Sequence, residues 1–274
     1  MEQCARPMDP HSNRTGSLVL LHPRGTLALL TVALLGWLFL VWLTVDMSTL
    51  YAQLTMPGTS RWDLANVLAV FVMWAIMMAA MMLPSALPMI LTFVDLSGRT
   101  SDFARGHGFV LAYLLVWLAF SALATLAQWA LQALDWVDPM LVSTSAWLTG
   151  ALLLIAGVYQ FSPLKRICLS GCRSPMAFLI GDWRPGFRGA LLMGARHGLL
   201  CLGCCWALMG LLFVGGVMNL AWLAAVSVAV AIEKVLPAGD RFARLMGMVL
   251  IGLGCTKLMS DTAPSRLTLR GLLS

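Results

Sequence analysis

One feature recurs along most of the chain: apolar runs of roughly twenty residues, separated by short polar or basic connections. A helix of about that length crosses the ~30 Å hydrocarbon core of a bilayer, since each residue rises about 1.5 Å. The runs are continuous rather than alternating with period two, which argues against a transmembrane barrel. Composition agrees. The chain is 60% hydrophobic and 11% charged, with mean hydropathy +0.85, whereas a soluble domain is about a quarter charged. The expected fold is therefore all-α, a polytopic bundle of about seven transmembrane helices lying in lipid.

The runs place seven spans at about Leu27–Val45, Leu64–Val94, Gly108–Leu134, Ser145–Phe161, Gly189–Val214, Leu220–Leu236 and Phe242–Leu258. Pro84 and Pro88 interrupt the second. The first run is too long for a signal-peptide core and lacks a small-residue cleavage site after it, so it reads as an uncleaved helix. Residues 1–26 form an N-terminal tail, 27–258 the membrane domain and 259–274 a C-terminal tail.

Basic residues set the orientation. With the N-terminus in the cytoplasm, thirteen Lys and Arg fall in inside segments and four (Arg61, Lys257, Arg266, Arg270) outside. That bias favours a cytoplasmic N-terminus and an outside C-terminus. The net charge of +6 thus reads as a topology signal, and nucleic acid is not an expected partner. The longest connection between spans, residues 162–188, is basic and contains Cys168 and Cys172; this orientation makes it a cytoplasmic loop.

Seven cysteines do not make a disulfide framework here, because most lie in or beside the spans. The densest chemistry sits in the fifth span, "GARHGLLCLGCCWALMG", residues 194–210. On a helix, Cys201 lies about 40° from His197 and Cys204 about 20° to its other side. His197, Cys201 and Cys204 thus share a face, with Cys205 about 80° round. Imidazole and thiol are ligands for soft and borderline ions, Cu(I) and Zn(II) above all. The plainer alternative is packing, since cysteine behaves as a small apolar residue and small residues suit helix contacts in membranes. Three cysteines with a histidine one turn earlier favour metal or redox chemistry, because ionisable groups inside a membrane are rarely idle.

Arg196 enters the same span and needs a partner; Glu233, near the end of the antiparallel sixth span, is the expected one, with Lys234 snorkelling. Cys168 and Cys172 form a CxxxC pair, one face of a helical turn, suited to capturing or delivering an ion. In the second span Met73, Met77 and Met81 recur at helical spacing beside Met78, Met82 and Met89. Thioethers suit Cu(I) but also fill gaps between helices. Next to a His-Cys cluster, Met77, Met78, Met81 and Met82 read as a candidate copper path.

Three segments together, "MWAIMMAAMMLPSALPMI", "YQFSPLKRICLSGCRSP" and "GARHGLLCLGCCWALMGLLFVGGVMNLAW" followed by "EK", resemble the bacterial family catalogued as domain of unknown function 2182, described as predicted metal-binding integral membrane proteins. The resemblance covers roughly residues 66–255. It implies a multi-pass protein of the bacterial inner membrane with a metal site, and the motif residues it carries over are Cys168, Cys172, His197, Cys201, Cys204, Cys205, Asn219 and Glu233.

The leading expectation is a membrane protein that binds a soft ion, copper before zinc, for transport or for delivery to a membrane or periplasmic metalloprotein. His197, Cys201, Cys204 and Cys205 hold the ion, Cys168 and Cys172 exchange it, and Arg196, Glu233 and Asn219 support the site. No Walker A pattern or phosphorylated aspartate domain marks direct use of ATP. A thiol redox protein, cycling Cys204 with Cys205 or Cys201 with Cys204, is the second reading. A structural subunit of a membrane complex is the third.

Overall fold

The computed structural model describes residues 23–57, 62–97 and 103–262. Most of the N-terminal tail, all but the start of the C-terminal tail, and Arg61 and Arg99 lie outside the described residues.

Eleven helices follow one another in the described chain: α1 Pro23–Val45, α2 Leu50–Thr55, α3 Leu64–Leu96, α4 Phe103–Ala133, α5 Ala146–Tyr159, α6 Pro163–Arg173, α7 Pro175–Asp182, α8 Gly186–Gly210, α9 Leu212–Gly215, α10 Leu220–Val235 and α11 Gly239–Thr262. Several starts are encoded locally. Asp63 and Asn66 exchange a capping box at the head of α3. Ser145, Ser162 and Asn219 cap α5, α6 and α10 by accepting from backbone N–H groups two or three residues on. Such caps satisfy the orphan donors of a first turn. α3 runs through Pro84 and Pro88 without a break in the helix.

Each of the seven expected spans falls on a helix, but they are not equal. Five helical segments are long and apolar enough to cross a membrane, at residues 23–45, 64–96, 104–133, 186–215 and 239–260. α5 and α6 would make a sixth as one broken span, bent by 64°. α10 has 16 residues, about 24 Å of rise, and falls short of the others. The expected loop at 162–188 is instead mostly helical: α6 and α7 fold back against α8 and α3.

Two close helix pairs organise the bundle. α4 lies on α8, where the backbone of Gly194 touches that of Phe109 and Gly198 faces Val116 and the Tyr113 carbonyl. These contacts run parallel and leave no room for a Cβ at Gly194. α5 lies on α11, where a Cβ at Gly157 would meet the Gly247 carbonyl at 2.9 Å. Close backbone approach at small residues is how membrane helices gain contact without a hydrophobic drive between them. α3 runs antiparallel beside α4, so that Trp74 meets Gln128 and Met82 meets Tyr113. Leucines and valines on the outer faces of α1, α4, α5 and α11 remain exposed, as a lipid-facing surface requires.

Candidate metal centre

The geometry starts from α8. Its glycine contacts press one face into the bundle, and that face buries His197, Cys201, Cys204 and Cys205. The wheel expectation holds that far.

Cys201 is the hub. Its sulfur lies 3.2 Å from the Tyr113 hydroxyl on α4 and 3.0 Å from the Lys234 amino group on α10. The Tyr113 hydroxyl also donates to the Met82 carbonyl on α3 at 3.1 Å. One phenolic proton thus has two acceptors in reach, a carbonyl and a sulfur. Lys234 further donates to Ser85 Oγ at 3.2 Å and reaches Met82 Sδ at 3.8 Å. Four helices, α3, α4, α8 and α10, meet at this point.

The other thiols surround it. Cys204 and Cys205 donate back to the Cys201 carbonyl at 3.1 and 2.9 Å. Cys172, from α6, lies near enough to Cys201 and Cys204 to interact with them electrostatically. Cys168 packs against Gly203, where a Cβ would approach its sulfur to 2.7 Å. The CxxxC pair is therefore drawn to the same cluster as the fifth-span cysteines. All these cysteines are free thiols.

His197 occupies a different setting. Its ring stacks on Tyr113 at 5.5 Å and Phe109 at 6.0 Å, and meets Phe178 edge-on at 5.9 Å. It is 2% exposed, and neither ring nitrogen has a hydrogen-bond partner. A buried imidazole with both nitrogens unpaired is costly unless something else engages them.

The charged residues pair differently from expectation. Glu233 binds Lys165, not Arg196: the ion pair spans 2.7 Å and both side chains are 2% exposed. Arg196 pairs with Asp182 on α7 with its side chain largely exposed. The reason is rotational. Arg196 precedes His197 by one position, which turns it about 100° away from the buried face. Lys234 does not snorkel outward but turns inward to Cys201. Arg173 anchors α6 to Asp240 and to the Leu236 carbonyl.

Asn219 stands at the far end of α10 as its N-cap, accepting from Trp222 N–H at 3.1 Å. That is about 22 Å of helix from Lys234, so the structure gives Asn219 a capping role and no contact with the thiols. Met77, Met78, Met81 and Met82 are all buried in the core, but among them only Met82 contacts the Lys234–Cys201 hub through a hydrogen bond. No group of three or more His, Cys, Asp or Glu side chains among the described residues is arranged to hold a metal ion. The thiols are gathered without forming a closed cage.

Sequence reasoning passed over Tyr113 and Ser85. Tyr113 is one of three tyrosines in an apolar run and carries no spacing signal; Ser85 sits in the Pro-flanked "LPSALP". Lys234 had a signal, a lysine closing an apolar run, but its direction depended on the packing of α6 and α8.

No curated protein matches this chain, and no solved structure does. A family model described as PpoB2, copper chaperone, matches residues 71–256. That interval takes in the α3 methionines, both cysteine clusters, Glu233 and Lys234. It names copper where the motif resemblance implied only a metal. Because the match covers well over half of its length, the chain belongs to the PpoB2 copper chaperone family.

Proposed function

We propose that this protein is a membrane copper chaperone that receives Cu(I) on the Cys172–Cys201–Cys204–Cys205 thiol cluster and passes it to a membrane or periplasmic metalloprotein. The observation that carries the reading is the environment of Lys234. Its amino group is buried and its hydrogen-bond partners are a thiol sulfur, a serine hydroxyl and a thioether. The neighbouring carboxylate, Glu233, is taken by Lys165. A buried cation needs a compensating charge, and the groups in place to supply it are the thiols, as thiolates. A positively charged pocket that stabilises thiolates is a receptor for a soft cation.

An open cluster suits a chaperone better than a closed one. Cu(I) accepts few soft ligands, so two or three thiolates hold it while leaving an approach for the acceptor's ligands. Cys172 comes from α6, an element separate from α8, so the ion can be gripped between two elements and released by one. His197, one turn before Cys201, is the reserve nitrogen ligand. Arg196 and Glu233 serve by holding α7 and α6 in place, Arg196 through Asp182 and Glu233 through Lys165. The bacterial inner membrane, with the N-terminus and α6 on the cytoplasmic side, fits the distribution of Lys and Arg.

The test is metal content. Detergent-purified protein, reduced and free of chelator, is loaded with Cu(I) and assayed beside Cys201→Ser, His197→Ala and Lys234→Met. About one copper per chain in the wild type, lost in Cys201→Ser and weakened in Lys234→Met, is the expected result. A wild type that retains no copper but forms a disulfide on mild oxidation would overturn it in favour of thiol redox chemistry.

A further inference from the structure

The outer face of α6 carries a charge that the fold does not use. Arg166 is exposed and has no ion-pair partner among the described residues. The other two basic residues of α6 are both paired, Lys165 with Glu233 and Arg173 with Asp240. Around Arg166 the surface is apolar, with Leu164 and Ile167 exposed beside it.

Arg166 also lies deep. On the inner side of α6, Cys168 packs against Gly203 and Gly171 against Leu200 of α8. At the end of α5, the Tyr159 hydroxyl donates to the Gly203 carbonyl. Gly203 belongs to the apolar segment 186–215, about 26 Å from its start and about 18 Å from its end by helix rise. Arg166 is within one turn of Cys168, so its backbone sits at the level of the hydrocarbon core. A guanidinium facing lipid at that level is costly unless a counter-charge meets it.

Beside it, at the break between α5 and α6, is an open groove of about 610 Å³ lined by Leu154, Ile155, Val158, Tyr159, Phe161 and Ser162. Ser162 caps α6, and its carbonyl accepts from the Arg166 N–H at 3.3 Å. Arg166 therefore follows the groove's edge by one turn on the same face. An apolar groove with an unpaired cation at its edge is the complement of an apolar helix carrying one carboxylate. A second copy of this chain brings no such group. Among the described residues every aspartate stands at a helix end or in a connection, and Glu233 is buried against Lys165. A phospholipid holds its anion at the headgroup level, away from this depth.

Resting on the copper reading above, we infer that the α5–α6 groove and Arg166 form the docking site for a transmembrane helix of the copper acceptor, one that carries an aspartate or glutamate at mid-membrane depth. The helix fills the groove and its carboxylate pairs with Arg166. The position suits delivery. α6 turns Lys165 and Cys168 inward and Arg166 outward, so one short helix borders both the thiols and the partner. Tyr159 lines the groove and reaches Gly203, the residue before Cys204.

The experiment places the full chain in phosphatidylcholine vesicles with a leucine-rich transmembrane peptide that carries one central Glu, and reads association by energy transfer between labels. A peptide with Gln at the centre is the control. Wild type is compared with Arg166→Leu, Arg166→Lys and Ile155→Trp, and all four are loaded with Cu(I) in detergent. The docking site requires at least tenfold tighter association of the Glu peptide than of the Gln peptide. Arg166→Leu should remove that preference, Arg166→Lys should keep it within about threefold, and Ile155→Trp, which fills the groove, should weaken association at least tenfold. Copper bound per chain stays at the wild-type level throughout. Equal association of the two peptides, or a preference that survives Arg166→Leu, would overturn the site. So would displacement of the Glu peptide by phosphatidylglycerol, which would give Arg166 to lipid headgroups, or by further unlabelled chain, which would give the groove to a second copy. Absence of copper binding in detergent would instead remove the copper reading and, with it, the acceptor as occupant, whatever the peptides do.

Discussion

The Lys234 amino group lies 3.0 Å from the Cys201 sulfur, across 33 positions of sequence and from a different helix. Of the contacts in the cluster, this one bears most directly on whether Cys201 serves as a thiolate. It yields the first prediction. Lys234→Met keeps much of the side-chain volume and removes the charge. A hydrogen bond to a charged group contributes about 1.5–3 kcal/mol, so Cu(I) affinity should fall about 10- to 100-fold. Competition against a Cu(I) chelator in detergent measures this; an unchanged affinity would mean that Cys201 does not depend on the amine.

Cys172 and Cys168 should separate. Cys172 lies near Cys201 and Cys204, whereas Cys168 packs on Gly203. Cys172→Ser should weaken Cu(I) binding by at least tenfold, and Cys168→Ser by less than about threefold. The same competition titration decides, and equal losses would place both thiols on the ion.

The Lys165–Glu233 pair is buried on both sides. Removing one partner leaves an uncompensated charge, at a cost of about 3–5 kcal/mol. Glu233→Leu alone should lower the thermal midpoint sharply. Lys165→Met combined with Glu233→Leu should recover most of it, since an apolar pair of similar size can replace a buried ion pair. A double variant as unstable as the single one would point to a role for Glu233 beyond pairing.

Arg196 should matter little. Its pair with Asp182 is largely exposed, and such pairs are worth about 0–1 kcal/mol. Arg196→Ala should leave copper binding within about twofold of wild type, read by metal content after gel filtration. A lost site would mean that α7 must be held for the cluster to form.

Gly194→Ala should act at a distance. A Cβ there runs into the backbone of Phe109, forcing α4 from α8, and overpacking of this kind costs about 1–3 kcal/mol. Because Tyr113 and Cys201 meet across the same contact, thermal stability and Cu(I) affinity should fall together. A drop in stability with unchanged affinity would show that the Tyr113–Cys201 contact is dispensable.

Much of the architecture was legible because it follows from local rules. Apolar runs of bilayer length must be helical, since lipid offers no partner for backbone polar groups, and each expected span is a helix. The face shared by His197, Cys201 and Cys204 follows from 3.6 residues per turn. What the periodicity could not convey was which segments fall short of a full crossing. α10 and the bent α5–α6 pair are set by where the chain turns around the thiol cluster, and hydropathy averages over that. The residues 162–188 look like a loop because Lys165, Arg166 and Arg173 interrupt the apolar pattern, yet Lys165 is buried by its pairing with Glu233.

The amino-acid sequence by itself determined the all-helical class, the membrane setting, the soft-ligand face of α8 and the metal-handling character that the family match narrows to copper. These rest on composition and on spacings of a few residues, where helix geometry leaves little freedom. Only the tertiary structure decided which charges meet. It turned Lys234 inward to Cys201, gave Glu233 to Lys165 and Arg196 to Asp182, and drew Cys172 toward the cluster. Those charged pairings span 14 to 68 positions, and they depend on helix rotation and register, which no local pattern records.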